Sequence, residues 1–297
     1  MSSQVASFDR TRHCKQPTPY NGTWVAYFKL TRKHNFPTGV DLLFWPCTWG
    51  LIMSAYALRL SFQSLAIQLI TYLVGVTLRH STACIWNDMC DTEFDRKVDV
   101  SIRGASILLA VHFITCLIIL SHIGGAAFMW GLFCLCVLDP LYPLMKRWTN
   151  WPQLGLGLAM TWGFPVSWVA NFGEMDWYIV PVLFVGGVCW TVHYDTIYAC
   201  QDRRDDIKAG VQSTALLFGD WTRLILSFFS ACFVACLVLA GIMNHQGPLF
   251  FAGVAGTASH LAWQLIVVDL DDSSDCSRIF KVAYNGSNGP RADIPYL

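Results

Sequence analysis

The chain is dominated by a series of long, continuous apolar runs. Each is about the length needed to cross a bilayer core as a helix, roughly 17–25 residues. They fall at 40–58, 63–86, 105–123, 125–143, 154–172, 177–197, 222–242 and 247–268. The runs are unbroken rather than alternating, so strands of a membrane barrel do not fit. In hydrocarbon only structures that satisfy their own backbone polar groups can span, which leaves helices. Composition agrees: 54% of the 297 residues are hydrophobic and only 13% are charged, about half the charge of an ordinary soluble domain. The expected fold class is therefore all-α, a polytopic transmembrane bundle of eight spans in a lipid bilayer. No nucleic-acid partner is expected.

Three segments follow. Residues 1–36 form a polar arm, 37–268 the membrane domain and 269–297 a polar tail. The runs at 105–123 and 125–143 are separated at Gly124, so a tight helical hairpin is expected there. Lys and Arg set orientation. They crowd the arm (Arg10, Arg12, Lys15, Lys29, Arg32, Lys33) and the loops after the second, fourth and sixth runs (Arg96, Lys97, Arg103; Lys146, Arg147; Arg203, Arg204, Lys208). They recur in the tail (Arg278, Lys281, Arg291), while the opposite face carries Arg59. Both termini and those three loops are expected in the cytosol. The arm shows neither the apolar core of a signal peptide nor a clear transit peptide, so the first span is expected to direct insertion. The twelve cysteines lack metal-ligand spacing and read as small core residues.

Against this apolar background the acids are conspicuous. "NDMCDTEFD", residues 87–95, closes the second run at the cytosolic face. Asn87, Asp91 and Asp95 repeat every four residues and share a helical face, with Asp88 flanking it. Like charges at this spacing repel unless a cation binds them. A hard divalent ion such as Mg2+ suits oxygen ligands, and it usually takes one or two carboxylates together with phosphate oxygens. "YDTIYACQDRRDD", residues 194–206, ends the sixth run on the same side. Asp202 and Asp206 are four apart, and Asp195 lies seven residues earlier. Two acidic faces at one membrane surface point to metal sites that grip a diphosphate from both directions. The plainer alternative is two solvated loops whose acids pair with Arg96, Lys97, Arg203 and Arg204.

"NDMCDTEFD" resembles the N-D-x-x-D-x-x-x-D motif of the UbiA superfamily of intramembrane aromatic prenyltransferases. "YDTIYACQDRRDD" resembles its second aspartate motif in the 4-hydroxybenzoate polyprenyltransferase branch. "YPLMKRWTNWPQLGLGLAMTWG" and "LTRKHNFPTGVDLLFWPCTWG" resemble two further blocks of that branch, so the likeness covers about residues 30–270. It implies a bundle around a central cavity capped by the acidic loops. It also implies Mg2+-dependent transfer of a prenyl group from an allylic diphosphate to an aromatic acceptor. Asp91, Asp95, Asp202 and Asp206 would be catalytic, and Asn87, Asp88 and Asp195 would join them around the metal. Arg79, deep in the second run where a charge usually has a function, is expected to hold the diphosphate; its alternative is an ion pair with an acid such as Asp195. Lys146, Tyr142 and Arg32 are expected at the substrate. His80 and His193 are candidate proton acceptors, Trp86, Trp162 and Trp190 candidate cavity walls, and Asp139 has no evident partner.

Two departures stand out: the stretch 96–106 lacks the usual Arg-Pro pair, and eight spans replace the usual nine. "QPTPYNGTW" and "FPTG" look more like fungal members that farnesylate polyketide-derived phenolic acids in meroterpenoid biosynthesis on internal membranes, such as the endoplasmic reticulum, with the site facing the cytosol. Ubiquinone-type transfer is the alternative acceptor chemistry. A cation or organic-phosphate transporter, or an inactive scaffold, are alternatives of other classes. A conduction path, however, needs polar groups through the midplane, and here they gather at one face.

Overall fold

The computed structural model describes residues 24–37, 39–91 and 100–285. The Asp95 position lies outside them. Every regular element among the described residues is helical. A short α1 (Trp24–Leu30) precedes α2 (Val40–Leu58), α3 (Phe62–Asp91) and α4 (Ile102–Ser121). The next run is α5 (Gly125–Phe133), a π turn (Cys134–Leu138) and α6 (Asp139–Met145), followed by α7 (Pro152–Thr161) and α8 (Gly163–Phe172). Then come α9 (Ile179–Cys200), α10 (Arg203–Ala209), α11 (Thr214–Phe218), α12 (Thr222–Met243), α13 (Pro248–Val267) and α14 (Ser273–Asn285). Among the described residues, six helical stretches are long and apolar enough to cross a membrane: α3, α4, α5 through α6, α9, α11 through α12, and α13. The other two expected segments are helical but different in kind. The first, α2, carries Asp41 and Pro46 and buries much of its length. The second is broken into α7 and α8.

Prolines account for the interruptions. A helical proline cannot bond the carbonyl four residues back and crowds it. Pro165 withdraws a bond from Thr161, where α7 stops and α8 begins. Pro140 does the same at Cys136, inside the π turn, which absorbs the extra backbone. The expected hairpin is present: α4 ends at Ser121, Gly124 adopts φ 126°, and α5 starts at Gly125.

The core centres on α9, which packs against α7, α12 and α14. Its Trp190 and Tyr194 meet Trp49, Phe233 and Phe280 in a continuous aromatic cluster. The stretch expected as a polar tail contains α14, whose Cys276, Ile279 and Val282 are buried. Spaced three apart, they form one apolar stripe on an otherwise polar helix. Cys276 and Ile279 of that stripe pack on the C-terminal end of α9, at Ile197 and Cys200.

Candidate active site

The long α3 runs unbroken from Phe62 into the first acidic motif, so Asn87 and Asp88 are held on a helix. The second motif is built differently. Following the end of α9 at Cys200, Asp202 caps α10, and the Asp206 amide donates to the Asp202 carbonyl at 2.9 Å. The turn separates Asp195, on α9, from Asp202 and Asp206.

Two consecutive residues join the motifs. The Arg147 guanidinium donates to the Cys90 carbonyl at 2.7 Å, at the end of α3. Lys146, beside it, lies within electrostatic reach of Asp195, Asp202 and Asp206. Its ammonium also sits 5.6 Å from the centre of the Tyr142 ring, a cation–π distance. The Lys146 carbonyl accepts from the Gln212 amide at 3.1 Å, and Gln153 accepts from the Thr214 amide at 3.0 Å. The loop after α6 is thereby tied to the segment that follows α10.

The electrostatics of the second motif are those of a cation-poor site. Burial pushes the Asp206 carboxyl up to about 6, with the neighbouring Asp202 charge next and Lys146 opposing. Asp202 is raised as well, chiefly by burial. Two neighbouring carboxylates, Asp202 exposed and Asp206 partly buried, that resist ionising together are the kind of donor set a hard divalent cation takes. Among the described residues no three His, Cys, Asp or Glu side chains form a metal cluster on their own.

Three of the expected residues bond to other side chains in the structure. Arg79 is engaged with Asp139, the acid for which the sequence suggests no partner. Its Nε donates to Asp139 Oδ2 at 2.8 Å and one amino group to Oδ1 at 2.6 Å, while the same amino group reaches the Ala159 carbonyl at 2.8 Å. The pair is buried between α3, α6 and α7, roughly 12 Å along α3 from Asn87 at 1.5 Å per residue. Those bonds engage Arg79 with Asp139 and the α7 backbone rather than with either acidic motif. Asp88 bonds Arg32 at 2.9 Å, so these two, expected at the metal and the substrate respectively, hold each other. His193 is fully buried; its Nδ1 lies 2.8 Å from Ser230 Oγ and its Nε2 3.1 Å from Gln264 Oε1. Both ring nitrogens clasp α9 to α12 and α13, which leaves neither for a substrate proton.

The other expected residues are placed as follows. His80 lies 3.6 Å from Cys84 Sγ and packs against Gly39, whose φ of 82° and lack of a side chain permit the approach. Trp190 is in the aromatic cluster. Trp86 Nε1 donates to the Pro140 carbonyl at 3.1 Å, and Trp162 packs among Trp130, Phe133 and Phe184. Two apolar cavities flank the Arg79–Asp139 pair. One, of about 280 Å³, is lined by Ala83, Trp86, Ala110, Phe113, Asp139 and Pro140. The other, of about 90 Å³, is lined by Tyr72, Arg79, Cys116, Cys134 and Trp162.

Sequence reasoning missed Asp41 and Tyr194. Tyr194 is buried, within electrostatic reach of Asp41, Tyr142 and Asp195. The signal was present: Asp41 is an acid in the first turn of an otherwise apolar run, and such acids are costly unless used.

The profile of the UbiA prenyltransferase family matches residues 43–287. The UbiA prenyltransferase claS of Ampulloclitocybe clavipes is 40% identical over 294 residues, 95% of this chain and 92% of that protein. The mitochondrial 4-hydroxybenzoate polyprenyltransferase of Schizosaccharomyces pombe is 41% identical over 276 residues, 88% of this chain and 76% of that one. Among solved structures, the apo UbiA homologue from Aeropyrum pernix K1 superposes with a TM-score of 0.69 at 19% identity, covering 82% of this chain and 94% of the other. The Archaeoglobus fulgidus UbiA homologue bound to GPP and Mg2+ gives a TM-score of 0.61 at 16% identity, covering 87% and 96%.

Proposed function

Because the chain belongs to the UbiA prenyltransferase family, we propose that it transfers a prenyl group, farnesyl in our reading, from an allylic diphosphate to a phenolic acid of polyketide origin. The observation that carries this reading is the pair Lys146 and Arg147, which ties the end of the first acidic motif to the acids of the second. A diphosphate needs both cations and metal ligands, and this junction offers them together.

Asn87, Asp91 and Asp95 on one side, and Asp195, Asp202 and Asp206 on the other, would hold Mg2+. When bound, the metal neutralises the negative charge that grows on departing pyrophosphate. Lys146 would bind the same phosphate oxygens, a role its electrostatic reach of Asp195, Asp202 and Asp206 supports. The carbon–oxygen bond of the allylic diphosphate breaks and pyrophosphate leaves. The electron-rich phenolic ring then forms the new carbon–carbon bond, and a ring proton is lost. Aromatic faces attract cationic carbon through their quadrupoles, and Tyr142, four residues before Lys146 and within cation–π distance of it, is a candidate for that role. Burial in the bundle excludes water, which would otherwise capture the cation. The 280 Å³ apolar cavity beside Trp86 gives a prenyl tail space next to the first motif.

The fungal relative claS supports the secondary-metabolite reading, and with it an internal membrane such as the endoplasmic reticulum, the site facing the cytosol. The second reading, transfer to 4-hydroxybenzoate, is favoured by the comparable identity of the Schizosaccharomyces pombe enzyme. Purified protein given farnesyl diphosphate and each acceptor separates them: the first reading expects the prenylated polyketide acid as the main product, and prenylated 4-hydroxybenzoate as main product overturns it.

A further inference from the structure

Asp88 stands beside Asn87 in the first acidic motif, yet it faces another way. At 3.6 residues per turn, successive residues rotate by about 100°. His80, Cys84, Asn87 and position 91 fall on one stripe of α3. Asp88 lies at the edge of that stripe, about 100° round from Asn87 and nearly in line with Ser81, two turns earlier. Ser81 and Asp88 grip consecutive residues of the connection between α1 and α2. Ser81 Oγ donates to the Thr31 carbonyl at 3.0 Å, and an Arg32 amino group donates to Asp88 Oδ1 at 2.9 Å. Ser81 and Thr31 are both buried, so this is a docked segment rather than a loose arm.

Arg32 itself has φ 55°, the left-handed region that a residue with a side chain rarely adopts. Such a conformation persists only where its surroundings enforce it, and that occurs most at functional sites. Its effect is to turn the guanidinium over α3. Arg32 lies within electrostatic reach of His80 and Cys84, the same stripe that carries Asn87. Its side chain remains 42% exposed, and a guanidinium has five donors, of which Asp88 takes one.

We infer that Asp88 is a positioning residue that holds Arg32 at the rim of the diphosphate site, and not a ligand of the metal. Asp88 spends its Oδ1 on the Arg32 guanidinium and sits about 100° round from Asn87, to one side of the stripe that carries the expected metal donors. The inference rests on the diphosphate reading given above.

The test uses the full-length purified protein and a non-reacting thio-analogue of farnesyl diphosphate, titrated by calorimetry across a range of Mg2+ concentrations. Asp88→Asn and Arg32→Gln should each weaken analogue binding by about tenfold, the worth of one charge-assisted bond. The double variant should bind no worse than either single one. The Mg2+ concentration for half-maximal binding should stay within twofold of wild type, while Asp91→Asn shifts it upward. Arg32→Lys, a mild change at a part-exposed side chain, gives a second variant if Asp88→Asn folds poorly, and should show part of the same loss. An Asp88→Asn protein with a raised Mg2+ requirement, or additive losses in the double variant, overturns the inference. Wild-type protein that binds no analogue at any Mg2+ concentration refutes the transferase reading instead.

Discussion

Replacing Arg79 tests how the interior is held together. Its guanidinium makes two bonds to Asp139, at 2.8 and 2.6 Å, and one to the Ala159 carbonyl at 2.8 Å. The partners' side chains are only 14% and 9% exposed. Arg79→Ala leaves the Asp139 carboxylate buried without its cation. Removing one member of a buried pair costs about 3–5 kcal/mol, because the remaining charge stays desolvated. For a chain of this size that is on the order of 10 °C in Tm. Asp139→Leu should cost a similar amount. Arg79→Met with Asp139→Leu removes both charges and should recover most of the loss, since exchanging a whole buried pair for apolar groups is often near neutral. Thermal unfolding of the three variants in one detergent measures the coupling. A role in binding diphosphate predicts the opposite pattern: Arg79→Ala with near-normal Tm and a KM for prenyl diphosphate raised ten- to a hundred-fold. That result would refute the assignment of Arg79 to the scaffold.

Other outcomes are expected at the site and beside it. Asp202→Ala should abolish turnover with no loss of Tm in metal-free protein, because it removes a charge that Asp206 opposes; a variant with normal turnover at low Mg2+ contradicts the two-motif site. With the Asp206 carboxyl raised to about 6, protons compete with Mg2+ below that pH. The apparent Mg2+ requirement should therefore rise up to about tenfold per unit as pH falls below 6 and be flat above 7. The sign for stability is the reverse: without metal, ionising Asp206 destabilises the fold, so Tm should fall as pH rises through the interval from about 4 to 6. A Mg2+ requirement indifferent to pH between 5 and 7 removes Asp206 from the metal. His193→Ala breaks the buried clasp to Ser230 and Gln264 and should lower Tm by several degrees while any remaining folded protein keeps its pH–rate profile; loss of one limb of that profile would return His193 to a role in proton transfer.

The helical bundle was legible because its signal is local. Continuous apolar runs fix the positions of the long helices to within about five residues, and Gly124 marks the hairpin. The break between α7 and α8 has a local cause in Pro165, but the run stays apolar across it, so hydropathy alone does not register it. In α14 the opposite holds: Cys276, Ile279 and Val282 give a clear stripe, yet polar residues between them and Gly and Pro beyond make the segment read as a tail. The acids of both motifs were legible from their spacing and their place at helix ends. Partners were not. Arg79 and Asp139 are 60 residues apart and Arg32 and Asp88 are 56 apart, so only the packing of α3 against α6 and against the α1–α2 connection pairs them. Charge at the membrane edge announces a function without saying which opposite charge it meets.

The central claim is that the two acidic motifs and Lys146 form one site that transfers a prenyl group. Its most direct measurement is product formation by purified, membrane-reconstituted protein given farnesyl diphosphate and a phenolic acid of the polyketide type, with Mg2+ or with excess chelator. A ring-farnesylated acid and equimolar pyrophosphate should appear with Mg2+, vanish with chelator, and fall at least tenfold in Lys146→Ala, the loss of one charged contact to phosphate. Pyrophosphate release without a prenylated product, or transfer that persists in chelator, would contradict the account.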